Sequence, residues 1–398
     1  MCVCIGDAHS TFFCLFNETC RHCGLSVPPQ CFFPQFWQYA CLISDSVEED
    51  TAGGFGGGFV RCVVRRNMSR FKECVAVINT RSGAREGASV FASALQQYLD
   101  RAGISHHDVR VPGRDILHSI KLHLDAADAI VVCGGDGTLS SVANALAAAR
   151  HEPLLKLPLV PVPCGLQNSI ATSLGVLSAE RSVSAFVLGR VEPVPLWELR
   201  ANGRFLRYFI SYISIGAYAM CVRRLHYLDA VGENYVALPT VRNKYKVGAF
   251  YTAMRNEVVP CTTVMMVNNS HVEVEASMKL FVASQMPLQH TRYSLTPNAT
   301  FKHGTLGVTY ATEEASRLRL WHLLSREAVE GTIINEDGVC ECLCVSELDL
   351  FIKDVPSIAE GGVSPGVLLM ADGEGVYLAP GSTVSVRRAP FQSFFASC

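Results

Sequence analysis

The pentapeptide Gly134-Gly135-Asp136-Gly137-Thr138 stands between an apolar run at residues 129–133 and a helix-compatible stretch at residues 139–150. Few folds accommodate that order. A strand that stops on glycines and opens into a helix presents backbone N–H groups and the positive end of the helix dipole to one spot, an anion nest. Glycines let a phosphate chain approach the backbone. An aspartate in the nest repels phosphate unless it holds Mg²⁺ or takes a proton from an attacking hydroxyl. The combination suits phosphoryl transfer. Taken alone, the pentapeptide also reads as a tight turn capped by Asp at a helix start.

Its neighbours extend the pattern. Apolar runs at residues 74–78, 104–111, 129–133 and 157–162 alternate with amphipathic stretches at 88–101, 114–124 and 139–150. Such alternation predicts a parallel, three-layer α/β sheet, whose ligands bind beyond the carboxyl ends of the strands. Three polar loops start there: Asn79-Thr80-Arg81-Ser82-Gly83, the pentapeptide, and Pro163-Cys164-Gly165-Leu166-Gln167-Asn168. No Walker sequence is present, nor the His-Arg-Asp and Asp-Phe-Gly pair of protein kinases, which excludes both of those ATP sites.

Beyond residue 191 strands follow one another, at 194–200, 205–214, 263–267, 279–284, 307–310, 340–352, 367–370 and 383–386, with a hairpin about Asn202-Gly203. Helical interludes fall at 217–228, 245–254 and 313–324. This predicts a largely antiparallel β domain with a cleft against the α/β domain.

Charge narrows the partners. With 34 Lys+Arg against 36 Asp+Glu the net charge is −2, so no basic excess exists to bind nucleic acid. Hydrophobic residues make up 49%, enough to exclude disorder throughout, yet no run of about 18 apolar residues suggests a membrane span. The 17 cysteines are scattered rather than framed as a small secreted scaffold, and no signal peptide is visible, so reduced thiols and a cytoplasmic location are expected. Residues 1–71 are aromatic and Cys-rich and end in the linker-like Gly53-Gly54-Phe55-Gly56-Gly57-Gly58; we read them as a flexible extension. Cys20-Arg21-His22-Cys23 offers one Cys-x-x-Cys knuckle, near Cys14 and Cys31, without the second pair a zinc site needs.

The ordered motifs carry a resemblance. Asn-x-Arg-Ser-Gly, Gly-Gly-Asp-Gly-Thr, Pro-x-Gly-x-x-Asn-x-x-Ala (Pro163 to Ala171) and Asp372-Gly373-Glu374 together resemble the diacylglycerol kinase catalytic domain shared with sphingosine and ceramide kinases, over roughly residues 72–389. The resemblance implies an α/β ATP-binding domain at 72–190 joined to an antiparallel β-sandwich lipid domain at 191–398. It implies transfer of the γ-phosphate of ATP, with Mg²⁺, to a lipid hydroxyl of a diacylglycerol or sphingoid base. It assigns Asp136 as general base or its close partner. Gly134, Gly135, Gly137 and Thr138 would hold the triphosphate, and Asn79, Arg81, Ser82, Gly83, Gly165, Gln167 and Asn168 would line the nucleotide. Asp372, Gly373 and Glu374 would reach back from the β domain, Glu374 holding Mg²⁺ with Asp136 or competing for the role of base. Arg242 and Lys246 match a basic segment that relatives carry before a helix, placed to meet phosphate.

Three positions depart from the pattern. Leu166 replaces a threonine near the nucleotide, and His303 replaces an aspartate in the turn that ends at Gly304. Where sphingosine kinases have an acidic run after a lipid-facing glycine, Gly216 is followed by Ala217-Tyr218-Ala219-Met220-Cys221-Val222-Arg223-Arg224. The alternatives are NAD kinase, which shares Gly-Gly-Asp-Gly-Thr, and a catalytically silent nucleotide- or lipid-binding regulator. A lipid kinase must also reach a membrane surface, which predicts peripheral docking through exposed apolar side chains near the cleft.

Overall fold

The computed structural model describes residues 5–6, 12–13, 71–83, 86–111, 116–149, 152–166, 168–188, 190–231, 241–289, 293–353 and 366–398. The chain divides into two units, Met1–Met68 and Ser69–Cys398. In the first, β1 (Ile5–Gly6) pairs antiparallel with β2 (Phe12–Phe13). The linker and the cysteines at 14, 20, 23 and 31 lie outside the described residues.

In the second unit four parallel strands form a sheet. These are β3 (Glu73–Asn79), β4 (Ser105–Val111), β5 (Ala129–Gly134) and β6 (Pro158–Pro163). They pair in parallel in the order β4-β3-β5-β6, and β5 is buried at every position. The three apolar members, β3, β5 and β6, are buried on both faces, while the polar edge strand β4 is largely exposed. Helical residues 87–102 cover the sheet, with a π-helical middle at Phe91–Gln96 that buries Phe91 and Leu95. The helix expected at 114–124 is described as Ile116–Lys121.

Two further helices, Ser169–Ser173 and Ala179–Leu188, escaped the sequence reading. The first is too short to show a period. The second hides its period behind buried serines, among them Ser182, whose hydroxyl donates to the Pro161 carbonyl at 2.7 Å.

The strand-rich part begins with β7 (Val191–Ala201) and β8 (Arg204–Phe209). Asn202 and Gly203 join them with φ of 49° and 73°, the positive pair a tight hairpin turn demands. The single strand expected at 205–214 is broken: β9 (Tyr212–Gly216) follows after Ile210 and Ser211. The N–H groups of those two residues are taken by the Asp372 carboxylate, at 2.7 and 2.8 Å, which ends the β8 ladder.

β10 (Val259–Val267), β11 (Ser270–Ser284), β12 (Leu306–Thr312), β13 (Val339–Ile352), β14 (Val367–Ala371), β15 (Glu374–Leu378) and β16 (Thr383–Ala396) complete the set. Hydrogen bonds link them in the order β15-β14-β9-β11-β10-β13-β16, and β16 then pairs in parallel with β6. β16 runs far past the expected 383–386, because its ladder with β7 slips between Arg388 and Gln392 and interrupts the alternation that sequence reading relies on.

Alternate side chains of β11 serve two cores. Phe281 and Ala283 pack with Ile213 and Ile215, while Leu280 and Val282 face a core built with helices Ala217–Val231 and Val241–Arg255. The described cysteines from Cys74 onward are free thiols.

Candidate functional site

The parallel strand order brings the three polar loops together. The Cys164 N–H donates to the Gly134 carbonyl at 3.0 Å, closing the third loop on the second. The Asn79 amide donates to the Thr138 hydroxyl at 2.9 Å, closing the first on the second. Gly83, at φ 55°, packs its α-carbon against the Cys164 carbonyl, where a β-carbon would collide.

Several expected nucleotide ligands prove to be builders of these loops. A β-carbon on Gly134 would stand 2.5 Å from the Thr138 hydroxyl oxygen, so this glycine admits a neighbouring side chain rather than a phosphate. The Asn79 carboxamide also accepts from the Arg81 N–H at 3.0 Å, turning the first loop. Asn168 closes on its own loop, accepting from the Gly165 N–H and donating to the Gly165 carbonyl, both at 3.0 Å. Arg81 is exposed at the loop's rim, with Ser82 and Leu166 half-buried. Gln167 lies outside the described residues.

Gly135 is extended, with φ −104° and ψ −169°, and takes the capping position of the helix Asp136–Ala148. That helix starts three residues before the sequence reading placed it, so Asp136 and Gly137 form its first turn. The first N–H groups of any helix lack partners within it, and here they gather beside the three loops.

Asp136 is 4% exposed. Its Oδ2 accepts from the Ser169 N–H at 2.8 Å and the Ser169 hydroxyl at 2.7 Å, and its Oδ1 accepts from the Ile170 N–H at 3.0 Å. The carboxylate therefore caps the helix Ser169–Ser173. Burial pushes its carboxyl up to about 7, against the lowering pull of those three donors, and the nearby Asp372 adds to the rise. Three donors thus occupy most of the acceptor capacity of Asp136, which was expected to share Mg²⁺ with Glu374.

Ser169 is the residue the sequence reading missed. Its hydroxyl also lies 2.5 Å from that of Ser211, linking the α/β layer to the start of β9. Its only signal was adjacency to Asn168.

Asp372 and Gly373, with φ of 48° and 84°, form the two-residue turn between β14 and β15. The Asp372 carboxylate is fully buried and accepts from the N–H groups of Ile210, Ser211 and Tyr212, at 2.7, 2.8 and 3.0 Å. It was expected at the nucleotide; it instead shapes the backbone. Burial raises its carboxyl from the ordinary value, while Arg207 and the three N–H donors lower it.

The turn serves to present Glu374. A β-carbon on Gly137 would stand 3.3 Å from Glu374 Oε1 and 3.4 Å from the Asp372 carbonyl, so the last motif lies directly over the helix start. Glu374 is exposed, unlike the two aspartates. Among the described residues no group of three or more His, Cys, Asp and Glu is poised for a metal. Mg²⁺ commonly takes one or two carboxylates and completes its shell with phosphate and water. Glu374 fits that set.

Arg242 and Lys246 lie within the helix Val241–Arg255 rather than ahead of it, and Lys246 is exposed. No described contact ties them to the three loops. His303 ends the 3₁₀ turn Phe301–His303, where Gly304 turns back at φ 63°.

Residues 73–199 match the profile of the Diacylglycerol kinase catalytic domain. The three loops thus lie in a stretch similar to that domain. Among curated proteins it is 29% identical over 145 residues to Diacylglycerol kinase of Bacillus subtilis (strain 168), covering 35% of this chain and 44% of that protein. It is 27% identical over 120 residues to Sphingosine kinase B of Dictyostelium discoideum, covering 30% and 16%. It is 34% identical over 92 residues to Probable lipid kinase YegS-like of Stenotrophomonas maltophilia (strain K279a), covering 23% and 29%. The matched segments thus span less than half the length of these relatives.

The fold likeness extends further. A diacylglycerol kinase structure from Bacillus anthracis str. Sterne superposes with a TM-score of 0.57 at 15% identity, over 83% of this chain and 98% of that one. A putative diacylglycerol kinase from the same organism gives 0.58 at 17%, over 83% and 96%. The matched span 73–199 holds the first three motifs, while Glu374 comes from strands beyond residue 199.

Proposed function

We propose that the chain is an ATP-dependent lipid kinase, with a nucleotide half at 72–190 and a β-sandwich lipid half at 191–398. It transfers a phosphoryl group to the hydroxyl of a diacylglycerol or sphingoid base. The observation that carries this reading is Glu374, an exposed carboxylate held over Gly137 at the start of the loop-capping helix.

The backbone at Gly135 and Gly137, with the helix dipole behind it, receives the triphosphate. Arg81 and Ser82 border the nucleotide from the first loop. Glu374 accepts the proton of the lipid hydroxyl, and Asp136 acts as its partner from below by fixing the helix ends that shape the nest. Mg²⁺ would be held chiefly by the phosphates and would supply charge neutralisation, with Glu374 acting as the base. Catalysis of this kind rests mainly on positioning, with a general base adding about 10²–10⁴ in rate.

A lipid-panel assay with radiolabelled ATP tests the reading. Phosphorylated lipid should form with the wild type and fall about 10²-fold or more with Glu374→Gln. A Glu374→Gln variant as active as the wild type would remove Glu374 from the chemistry, and absence of any lipid product would sink the function.

The membrane docking face is proposed on the helix Val241–Arg255. Val247, Phe250 and Tyr251 are exposed there, with Leu318 of the neighbouring helix, and the Arg224 guanidinium lies 3.9 Å from the centre of the Tyr251 ring. Apolar side chains beside cations suit an anionic bilayer surface. None of the described helices is long and apolar enough to cross one. Flotation with anionic vesicles should recover the protein, and Phe250→Asp should reduce that recovery; unchanged recovery would place docking elsewhere.

A further inference from the structure

One face of the helix Asp136–Ala148 carries no large apolar side chain. Gly137, Ser140, Ser141 and Asn144 follow one another there at helical spacing, whereas Leu139, Val142, Ala143 and Leu146 are buried in the core of the parallel sheet. The polar face meets the strand-rich part at two points. At the helix start, Gly137 lies against Glu374 and the Asp372 carbonyl. Two turns further on, about 10 Å along the axis, Asn144 meets β8.

Among the described strands β8 pairs with β7 alone, so the other side of its backbone lacks a strand. The Asn144 carboxamide takes that place at Tyr208. Its Nδ2 donates to the Tyr208 carbonyl and its Oδ1 accepts from the Tyr208 N–H, both at 2.8 Å. A side-chain amide thus pairs with a backbone amide as a neighbouring strand would. Only this orientation of the carboxamide satisfies both groups. Nδ2 also donates to the Ser140 carbonyl at 2.7 Å, which fixes the side chain on its own helix. Arg207 makes a second tie from β8, donating to the Ser140 hydroxyl at 3.0 Å.

The chain of contacts returns to its starting point. Two residues after Tyr208, the Ile210 N–H enters the Asp372 carboxylate, followed by those of Ser211 and Tyr212. Asp372 opens the turn that carries Glu374, and Glu374 lies over Gly137 on the helix where Asn144 stands. The start of that helix is held within the α/β layer, by Asp136 on Ser169 and by Gly134 on Cys164. The Ser169 and Ser211 hydroxyls also join the two parts, so losing Asn144 shifts Glu374 rather than releasing it.

We propose that Asn144 is a positioning residue for phosphoryl transfer: through Tyr208 and Asp372 it fixes where Glu374 stands over Gly137. The inference deepens the lipid-kinase reading and rests on it. Asn144 acts at a distance from the reacting atoms, and a displacement of about 1 Å at such a site can cost about 10²-fold in rate.

Kinetics of the full chain test it, with radiolabelled ATP and mixed vesicles carrying dioleoylglycerol and sphingosine. Asn144→Ala should lower kcat about tenfold or more and leave the KM for ATP within about twofold, because the loops bordering the nucleotide hang on their own hydrogen bonds. In a Glu374→Gln background the same change should cost less than about twofold, since the group it positions is gone. Losses that multiply in the double variant overturn the proposal, as does a raised KM with unchanged kcat. Asn144→Asp keeps the bond from the Tyr208 N–H and carries the same comparison where the Ala variant fails to fold. A wild type that forms no phosphorylated lipid would sink the kinase reading, and amide exchange then decides on Asn144. The Asp372 N–H, which donates to the Tyr212 carbonyl at 3.1 Å, should exchange about tenfold faster in Asn144→Ala while β3 is unchanged. Unaltered exchange at Asp372 overturns the proposal.

Discussion

Asp136 and Ser169 are joined twice: the Ser169 N–H and its hydroxyl both donate to Oδ2 of Asp136, at 2.8 and 2.7 Å. The aspartate at the centre of the glycine motif thereby holds the start of another helix. Its removal has two consequences that activity alone would confuse.

Asp136→Ala leaves the Ser169 and Ile170 N–H groups buried without their acceptor. The expected cost is about 2–4 kcal/mol, read as a lower urea midpoint, whereas Asp136→Asn keeps one acceptor oxygen and loses less. An Ala variant as stable as the wild type would show that the cap contributes nothing.

The same carboxyl predicts a pH dependence of stability. Burial raises it from 3.8 to about 7, so the folded chain holds this proton more tightly than the unfolded chain. Its stabilising contribution is complete below about pH 4 and is lost as pH rises through about 7. Comparing urea unfolding of wild type and Asp136→Asn across that window isolates the effect. The difference in stability should change by at most about 1.4 kcal/mol per pH unit, and a flat difference would refute the shift.

Gly83→Ala should separate the first and third loops. It meets the Cys164 carbonyl and must also adopt φ 55°, a conformation costing a side chain on the order of 1–3 kcal/mol. We expect a lower melting temperature and a raised KM for ATP, both measured on the purified variant. Unchanged KM with reduced stability would mean the loop junction is structural only.

A buried ion pair ties the helical stretch 317–330 to the segment at Ile334 that follows it. Arg319 donates to both oxygens of Glu327, at 2.6 and 3.2 Å, with side chains 8% and 2% exposed. Arg319→Met should destabilise by about 3 kcal/mol, since it leaves a buried carboxylate with the Ile334 N–H and His322 but without its guanidinium, and Arg319→Met with Glu327→Leu should recover part of that loss. A double variant no better than the single would show that shape, not charge, sets the cost.

Local patterns were legible in the sequence wherever a few neighbouring residues decide the outcome. The glycines at 134, 135 and 137, the Asn202-Gly203 hairpin and the apolar β5 are of this kind. Legibility failed where distant residues decide. Nothing near residue 210 announces that Asp372, far along the chain, will take its N–H and split a strand. Ser169 resembles any serine beside a loop until the fold sets it under Asp136. Asp372 itself shows the limit of motif reading: its carboxylate is buried and occupied by the N–H groups of residues 210–212, which nothing in the motif announces.

The pairing of β16 with β6 has a bearing on how the chain is made. β6 is translated long before Phe394 and Phe395, and until they arrive one edge of the parallel layer lacks its neighbour. An open edge strand can pair with any exposed strand of another nascent chain. An α/β layer that forms before those residues are made is therefore unsealed along β6. Ribosome-associated factors that shield this edge would raise the yield of folded protein without altering its final stability.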